Sequence, residues 1–240
     1  MSEIELKDVS VLYNSKRGET VALNRFSATF HDGMNVIVGY SGCGKTTLLK
    51  CILGLIGYDG KIFFNGNDLA DIPVKDRRFS FVSQEYALFP HSTVFDNIAF
   101  PLKTMGAGRK EIIERVRQVA EITDLTPCLS KNPKHISGGQ QQRTAVARAL
   151  VKRPSVCLMD EPFSNTDEIA RAKMRRWIKD LFRKEGCMAI YVTHEFREAL
   201  ALADTLYVMD DGKLSVSGTP DEIFNSENEV VRNLKSGTFY

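Results

Sequence analysis

Five short apolar runs punctuate the chain, at 34–38, 79–82, 156–159, 188–192 and 205–209. Each is nearly continuous rather than alternating, which is the pattern of a strand covered on both faces. Stretches of helical spacing separate most of them, such as 45–55, where Leu48, Leu49, Ile52 and Leu55 share one side. This order predicts an α/β fold: a parallel sheet with right-handed crossovers and ligand sites at the carboxyl ends of its strands. The N-terminal part has another rhythm. Ile4-Glu5-Leu6 and Phe26-Ser27-Ala28-Thr29-Phe30 alternate, and Lys61-Ile62-Phe63-Phe64 does so less cleanly, predicting an antiparallel sheet at one edge. Between 82 and 156 the spacing turns helical, chiefly over 93–100, 110–123 and 140–151. Residues 90–153 therefore read as a helical insertion in a single 240-residue domain whose α/β core comprises 1–89 and 154–240. Near the end, Thr219-Pro220-Asp221-Glu222 carries the cap, first-turn proline and third-position glutamate of a helix start.

Composition narrows the class. Lys and Arg total 32 against 30 Asp and Glu, so no single-sign field recruits nucleic acid or an anionic membrane. The apolar runs fall far short of the ~20 residues that span a bilayer, and the opening MSEIELKDVS lacks the apolar stretch of a signal peptide. The expectation is a soluble, intracellular protein that meets a membrane only through a partner. Five cysteines (Cys43, Cys51, Cys128, Cys157 and Cys187) form no C-x-x-C pair, which favours free thiols over zinc or disulfides. Cys43 lies just before a predicted helix, where a thiol pKa would be lowered and the group open to modification; an inert loop thiol is the favoured reading.

The candidate chemistry begins with GYSGCGKTT at 39–47, a glycine-rich turn between predicted strand and helix. It fits G-x-x-x-x-G-K-[ST], in which Gly39, Ser41, Gly42, Cys43 and Gly44 let backbone N–H groups curl around phosphates at a helix N-terminus. Lys45 is expected to reach the β- and γ-phosphates, the Thr46 hydroxyl to ligate Mg²⁺, and the Thr47 amide to meet the α-phosphate. A merely flexible loop is the competing reading, and the flanking strand and helix count against it. The run 156–159 ends in Asp160-Glu161, two carboxylates at a strand's carboxyl end. Asp160 suits the metal side and Glu161 suits a base for attacking water, which favours hydrolysis over transfer to an alcohol. Ser137, Gly138, Gly139 and Gln140 open another predicted helix and form a second candidate anion site.

At this point the motifs become specific together. ISGGQ at 136–140 resembles the LSGGQ signature of ATP-binding cassette proteins. The series GYSGCGKTT, Ser83-Gln84-Glu85, ISGGQ, VCLMDE, Ser164-Asn165-Thr166-Asp167 and Val192-Thr193-His194-Glu195 follows that family's order over about residues 3–225. The resemblance implies a P-loop NTPase (RecA-like) core with an N-terminal antiparallel β subdomain and an inserted helical subdomain. It also implies ATP and Mg²⁺ as ligands and a head-to-tail pair of cassettes, each capping the other's nucleotide. Ser137 and Gly139 would then contact the γ-phosphate held by the opposite subunit, and Asp167 would cross to its partner's catalytic region. Gln84 resembles the glutamine that senses Mg²⁺ and γ-phosphate, and His194 the switch histidine. Tyr13 stands where an aromatic stacks on adenine, although the extra residues 14–19 loosen that alignment.

The segment 84–100 resembles the region of bacterial solute importers that receives a permease helix, with Tyr86, Leu88 and Phe89 as its exposed apolar groups or else as core; His91 reads as surface scaffold. The resemblance implies permease subunits, a second cassette and an external solute-binding protein as partners, at the cytoplasmic face of the membrane. Solute choice would lie with the permease and binding protein. Three departures stand out: isoleucine at 136, a short 54–60 loop, and too little chain after 220–225 for the accessory β-domain of sugar-importing relatives. A soluble cassette ATPase acting on nucleic acid or ribosomes is the alternative. It lacks support in the basic run 171–176, which shares a helix with Asp180 and Glu185 and reads as a solvated face.

Overall fold

The computed structural model describes residues 2–15, 18–163 and 168–236. The chain opens with β1 (Glu3–Ser15), β2 (Gly18–His31), β3 (Met34–Val38), α1 (Lys45–Leu53), β4 (Asp59–Phe64) and β5 (Asn67–Asp68). There follow β6 (Phe79–Val82), α2 (Val94–Thr104), α3 (Arg109–Ile122), α4 (Gly138–Leu150), β7 (Val156–Asp160) and α5 (Glu168–Glu185). It continues with β8 (Met188–Thr193), α6 (Phe196–Leu202), β9 (Thr205–Asp210), β10 (Lys213–Gly218), α7 (Pro220–Phe224) and α8 (Glu229–Ser236). Two compact units divide these elements, one formed by the chain up to Arg77 and from Met188 onward, the other by Arg78–Cys187.

In the first unit β2-β1-β4-β5 form an antiparallel sheet, with Ile4 opposite Phe30 and Phe64, and Leu6 opposite Ala28 and Ile62. Ile4, Leu6, Phe26, Phe30 and Ile62 are buried while Glu3 and Lys7 face water, so the alternation read in the sequence is a one-face core pattern. The strand β3 runs parallel to both β8 and β9, and every residue of β3 and β8 is buried, which explains their unbroken apolar runs. The two sheets of this unit meet at Tyr207. Its ring lies edge-on to Phe30 at 4.7 Å, and its hydroxyl donates to the Thr29 carbonyl at 2.5 Å. Helix α1 buries Leu48, Leu49 and Ile52, but Gly54 adopts a left-handed cap and ends it before Leu55, which is exposed. The predicted capping box at α7 is present, Thr219 and Glu222 each accepting from the other's backbone N–H.

In the second unit β6 and β7 pair in parallel from Phe79 with Val156 to Val82 with Met159. Helices α2, α3 and α4 share a core that includes Val94, Ile98, Val116, Val119 and Leu125. Helix α2 runs past its predicted end at Phe100 and through Pro101, because the buried Leu102 carries the apolar face one turn further. Helix α4 starts at Gly138, two residues earlier than its apolar spacing suggests, because Ser137 and Gln140 cap it reciprocally.

Burial raises three acids in these units to about 12, the thiols of Cys51 and Cys187 and the hydroxyl of Tyr207. The unfolded chain releases these protons near the ordinary values of 9.0 for cysteine and 10.0 for tyrosine. Above pH 9 it therefore binds fewer protons than the folded state, and stability falls as pH rises. Denaturant titrations should show little change from these groups below pH 8 and a loss of a few kcal/mol by about pH 10.5, at ~1.4 kcal/mol per proton per pH unit. A flat profile across that window would contradict the burial of these groups.

Candidate functional site

The turn 39–47 follows from two different demands on its glycines. A Cβ on Gly39 would lie 2.2 Å from the Met209 carbonyl oxygen, and one on Gly44 would lie 2.2 Å from that of Ala22. Those two positions are set by packing within the chain. Gly42 is different: its φ of 84° favours glycine, yet a Cβ there would meet nothing within 4 Å. The loop is thus clamped from below and open above, with Ser41, Gly42 and Thr46 exposed and Thr47 half-buried. Gly44 caps α1 without a side-chain acceptor, and no acidic residue stands in the first turn, so the positive helix end faces that open side.

Lys45 is buried and crosses the loop. Its Nζ donates to the carbonyls of Gly39 at 2.8 Å and Tyr40 at 2.7 Å and lies 3.8 Å from the Cys43 sulfur. The Cys43 backbone is pinned as well, its carbonyl accepting from the Gly212 N–H at 3.1 Å. The thiol fits the inert reading. Burial raises its pKa from 9.0, outweighing the Lys45 charge that lowers it, so the loop does not create a reactive thiolate.

His194 is exposed just beyond β8 and lines a cavity of about 620 Å³ with Tyr40, Ser41, Asp210, Glu229 and Asn233. The turn beneath it is held by Thr193, whose hydroxyl donates to Glu198 at 2.6 Å and accepts from the Glu195 N–H at 3.0 Å. Tyr13 is 41% exposed near the tip of the β1–β2 hairpin, in register with Thr20.

The second unit carries the remaining candidates. Asp160 ends β7 and is buried; Glu161 follows it, half-buried, with a φ of 42°. A non-glycine residue in that region costs ~1–3 kcal/mol and persists only where its surroundings enforce it. Gln84 is exposed after β6. Ser137 caps α4 in a reciprocal pair with Gln140: the Gln140 N–H donates to Ser137 Oγ at 3.3 Å and the Ser137 N–H to Gln140 Oε1 at 3.0 Å. A Cβ on Gly138 or Gly139 would meet nothing within 4 Å, and neither has a positive φ. Among the described residues, nothing in the packing requires glycine at these two positions.

A sequence family described as ABC transporter matches residues 23–164, more than half of the chain. The chain belongs to the ABC transporter family. A trehalose/maltose import ATP-binding protein MalK of Thermococcus litoralis is 44% identical over 233 residues, covering 94% of this chain and 62% of that protein. A molybdate/tungstate import ATP-binding protein WtpC of Pyrococcus horikoshii is 46% identical over 202 residues, 83% of this chain and 59% of its own. A spermidine/putrescine import ATP-binding protein PotA of Hahella chejuensis is 41% identical over 229 residues, 95% and 62% respectively. The chain spans about six tenths of the length of these relatives.

Against the ABC motifs, the first unit brings together Gly39, Ser41, Gly42, Cys43, Gly44, Lys45, Thr46 and Thr47, with Ser41 beside His194 on one cavity. Gln84, Asp160, Glu161, Ser137, Gly138, Gly139 and Gln140 belong to the second. Asp167, with the Ser164-Asn165-Thr166-Asp167 motif, lies outside the described residues. Of the apolar groups expected on the surface, Phe89 is exposed and Leu88 half-buried, but Tyr86 is buried, its hydroxyl donating to the Pro162 carbonyl at 3.1 Å. That correction follows from φ values of 60° at Tyr86 and 45° at Ala87, which turn the ring inward. Sequence reasoning missed an apolar groove on α2 and α3, lined by Phe95, Ile112, Ile113 and Leu129 and edged by Lys103, Arg109 and Arg117. Its signal was Ile113 beside Ile112, one apolar residue more than the buried stripe of α3 needs.

The Cys43 thiol should react with N-ethylmaleimide at pH 7 more slowly than free cysteine, the rate climbing as pH rises past 9. A rate above that of free cysteine would instead support the reactive thiolate.

Proposed function

We propose that the chain is the ATP-hydrolysing subunit of an importer, binding MgATP between two head-to-tail copies and driving a membrane permease. The observation that carries this reading is the contrast among glycines. Within the two glycine-rich motifs, Gly39 and Gly44 are demanded by packing under the loop, whereas Gly42, Gly138 and Gly139 border open space, as expected where a phosphate must approach backbone amides closely. The import ATP-binding relatives support the transport setting.

In this reading the amides of 41–47 and the positive end of α1 hold the phosphates. Lys45 keeps two donors on the Gly39 and Tyr40 carbonyls and turns the third from a weak sulfur acceptor to phosphate oxygen. The residues that would hold Mg²⁺ are Thr46, Gln84 and Asp160, a sparse oxygen set that suits an ion sharing its shell with phosphates and water. When bound, that ion neutralises charge on the β- and γ-phosphates. Glu161 orients and deprotonates the attacking water, and its left-handed backbone sets the carboxylate's direction. His194 holds the γ-phosphate from the cavity it shares with Ser41, and Tyr13 stacks on the base. Ser137, Gly138, Gly139 and Gln140 cap the nucleotide of the opposite copy, with Asp167 crossing the same interface. The segment 84–100 then carries the partner surface, where the exposed rings of Phe89 and Phe100 lie 4.7 Å apart, tilted by 55°. The α2–α3 groove, apolar with a cationic edge, suits a short amphipathic permease helix. The assembly would sit at the cytoplasmic face of the membrane with an external solute-binding protein.

Glu161→Gln should abolish hydrolysis while ATP still binds and the closed dimer accumulates on a sizing column. Hydrolysis at the wild-type rate would remove Glu161 from the mechanism. Lys45→Ala should weaken ATP binding by roughly 10- to 150-fold, the worth of a charge-assisted hydrogen bond at ~1.5–3 kcal/mol. Calorimetry showing undiminished affinity would mean that the loop does not hold the phosphates.

A further inference from the structure

Three non-glycine residues of the second unit with left-handed backbone, Tyr86, Ala87 and Glu161, lie within one residue of groups tied to the same helix. From its first half, Gln142 of α4 donates through Nε2 to the Pro162 carbonyl at 2.8 Å, directly after Glu161. That carbonyl also accepts from the Tyr86 hydroxyl at 3.1 Å. From its second half, Arg148 forks onto consecutive carbonyls, Nη2 to Tyr86 at 2.6 Å and Nη1 to Ala87 at 2.7 Å. Its guanidinium lies 5.8 Å from the Phe89 ring. The 84–89 segment is held from its other end by Asn97, whose Oδ1 accepts from the Phe89 N–H at 2.8 Å and whose Nδ2 donates to the Phe89 carbonyl at 3.2 Å.

We infer that Gln142, Tyr86 and Arg148 are positioning residues through which α4 sets the backbone at Glu161 and the segment after Gln84 together. The inference rests on the function proposed above. One carbonyl with two donors is the joint: Gln142 brings the helix to it, and Tyr86 brings the partner-facing loop. A displacement of α4, whose first residues cap nucleotide in that reading, is delivered to the glutamate and to the Tyr86–Phe89 loop at once. Packing alone does not explain Gln142. It is fully buried and its Oε1 has no hydrogen-bond partner among the described residues, an arrangement that a leucine of similar volume would avoid. Arg148 is likewise specific, since a lysine keeps the charge but cannot bridge two adjacent carbonyls as a planar fork.

The test compares Gln142→Leu, Tyr86→Phe and the double variant by kcat and KM for ATP hydrolysis and by thermal midpoint. Each single change leaves one donor on the Pro162 carbonyl and should lower kcat by only about threefold, whereas the double should lose roughly thirtyfold or more at nearly unchanged KM. The thermal midpoint of Gln142→Leu should not fall. A double variant whose loss is no greater than the product of the singles, or losses that track falling thermal midpoints, would overturn the inference and leave the ATPase reading standing. Absence of hydrolysis by the unaltered chain, with ATP bound, would sink both. Arg148→Lys provides an independent arm: amide hydrogen exchange should quicken over 86–89 and stay as it was over 45–53, with kcat reduced. Unchanged exchange over 86–89 would remove Arg148 from the device.

Discussion

The contact between β2 and the head of α1 governs the turn at 39–47. The Ala22 carbonyl occupies the space where any side chain at 44 would begin, so the helix must start on a glycine, at a φ of 103°. The carbonyl of Met209 makes the same demand at Gly39. With Gly44 against β2 and Gly39 against β9, both ends of the loop are held, while Ser41 and Gly42 between them stay exposed. Lys45 completes the clamp from inside by bonding the Gly39 and Tyr40 carbonyls, which fixes the ammonium before any ligand arrives. Preorganisation of this kind places the ordering cost in folding rather than in binding.

The sequence was most informative where a periodic pattern and a chemical requirement coincided. Runs such as 34–38 and 188–192 are buried at every position, so neither solvent nor a second period blurs them. The Thr219 start was legible because a capping box is a local bargain between four residues. Legibility failed where burial by distant residues overrode a local rule. Cys43 has a helix start and a lysine beside it, both acidifying, yet desolvation wins because the loop takes the thiol out of water. Tyr86 stands among residues that read as surface, and its inward turn depends on two left-handed residues that no pattern announces. The apolar groove escaped for a related reason: it arises from the spacing between two helices, not from either one's periodicity.

Helix α4 joins these themes. Its first turn is a surface feature, with two glycines that its own packing does not require and a serine that caps it. One turn further it is core, with Thr144, Ala145, Val146 and Ala147 buried. A helix is stiff along its hydrogen-bond ladder, so whatever moves its exposed end moves the buried side chains with it. Gln142 and Arg148 reach backbone outside the helix at Pro162, Tyr86 and Ala87, as Gln141 does at the Pro133 carbonyl. An all-apolar inner face would pack as well but would slide, since apolar contacts are non-directional. Hydrogen bonds to carbonyls at Pro162, Tyr86 and Ala87 instead give the displacement a definite destination, and the cost of burying them is the reason such groups are few.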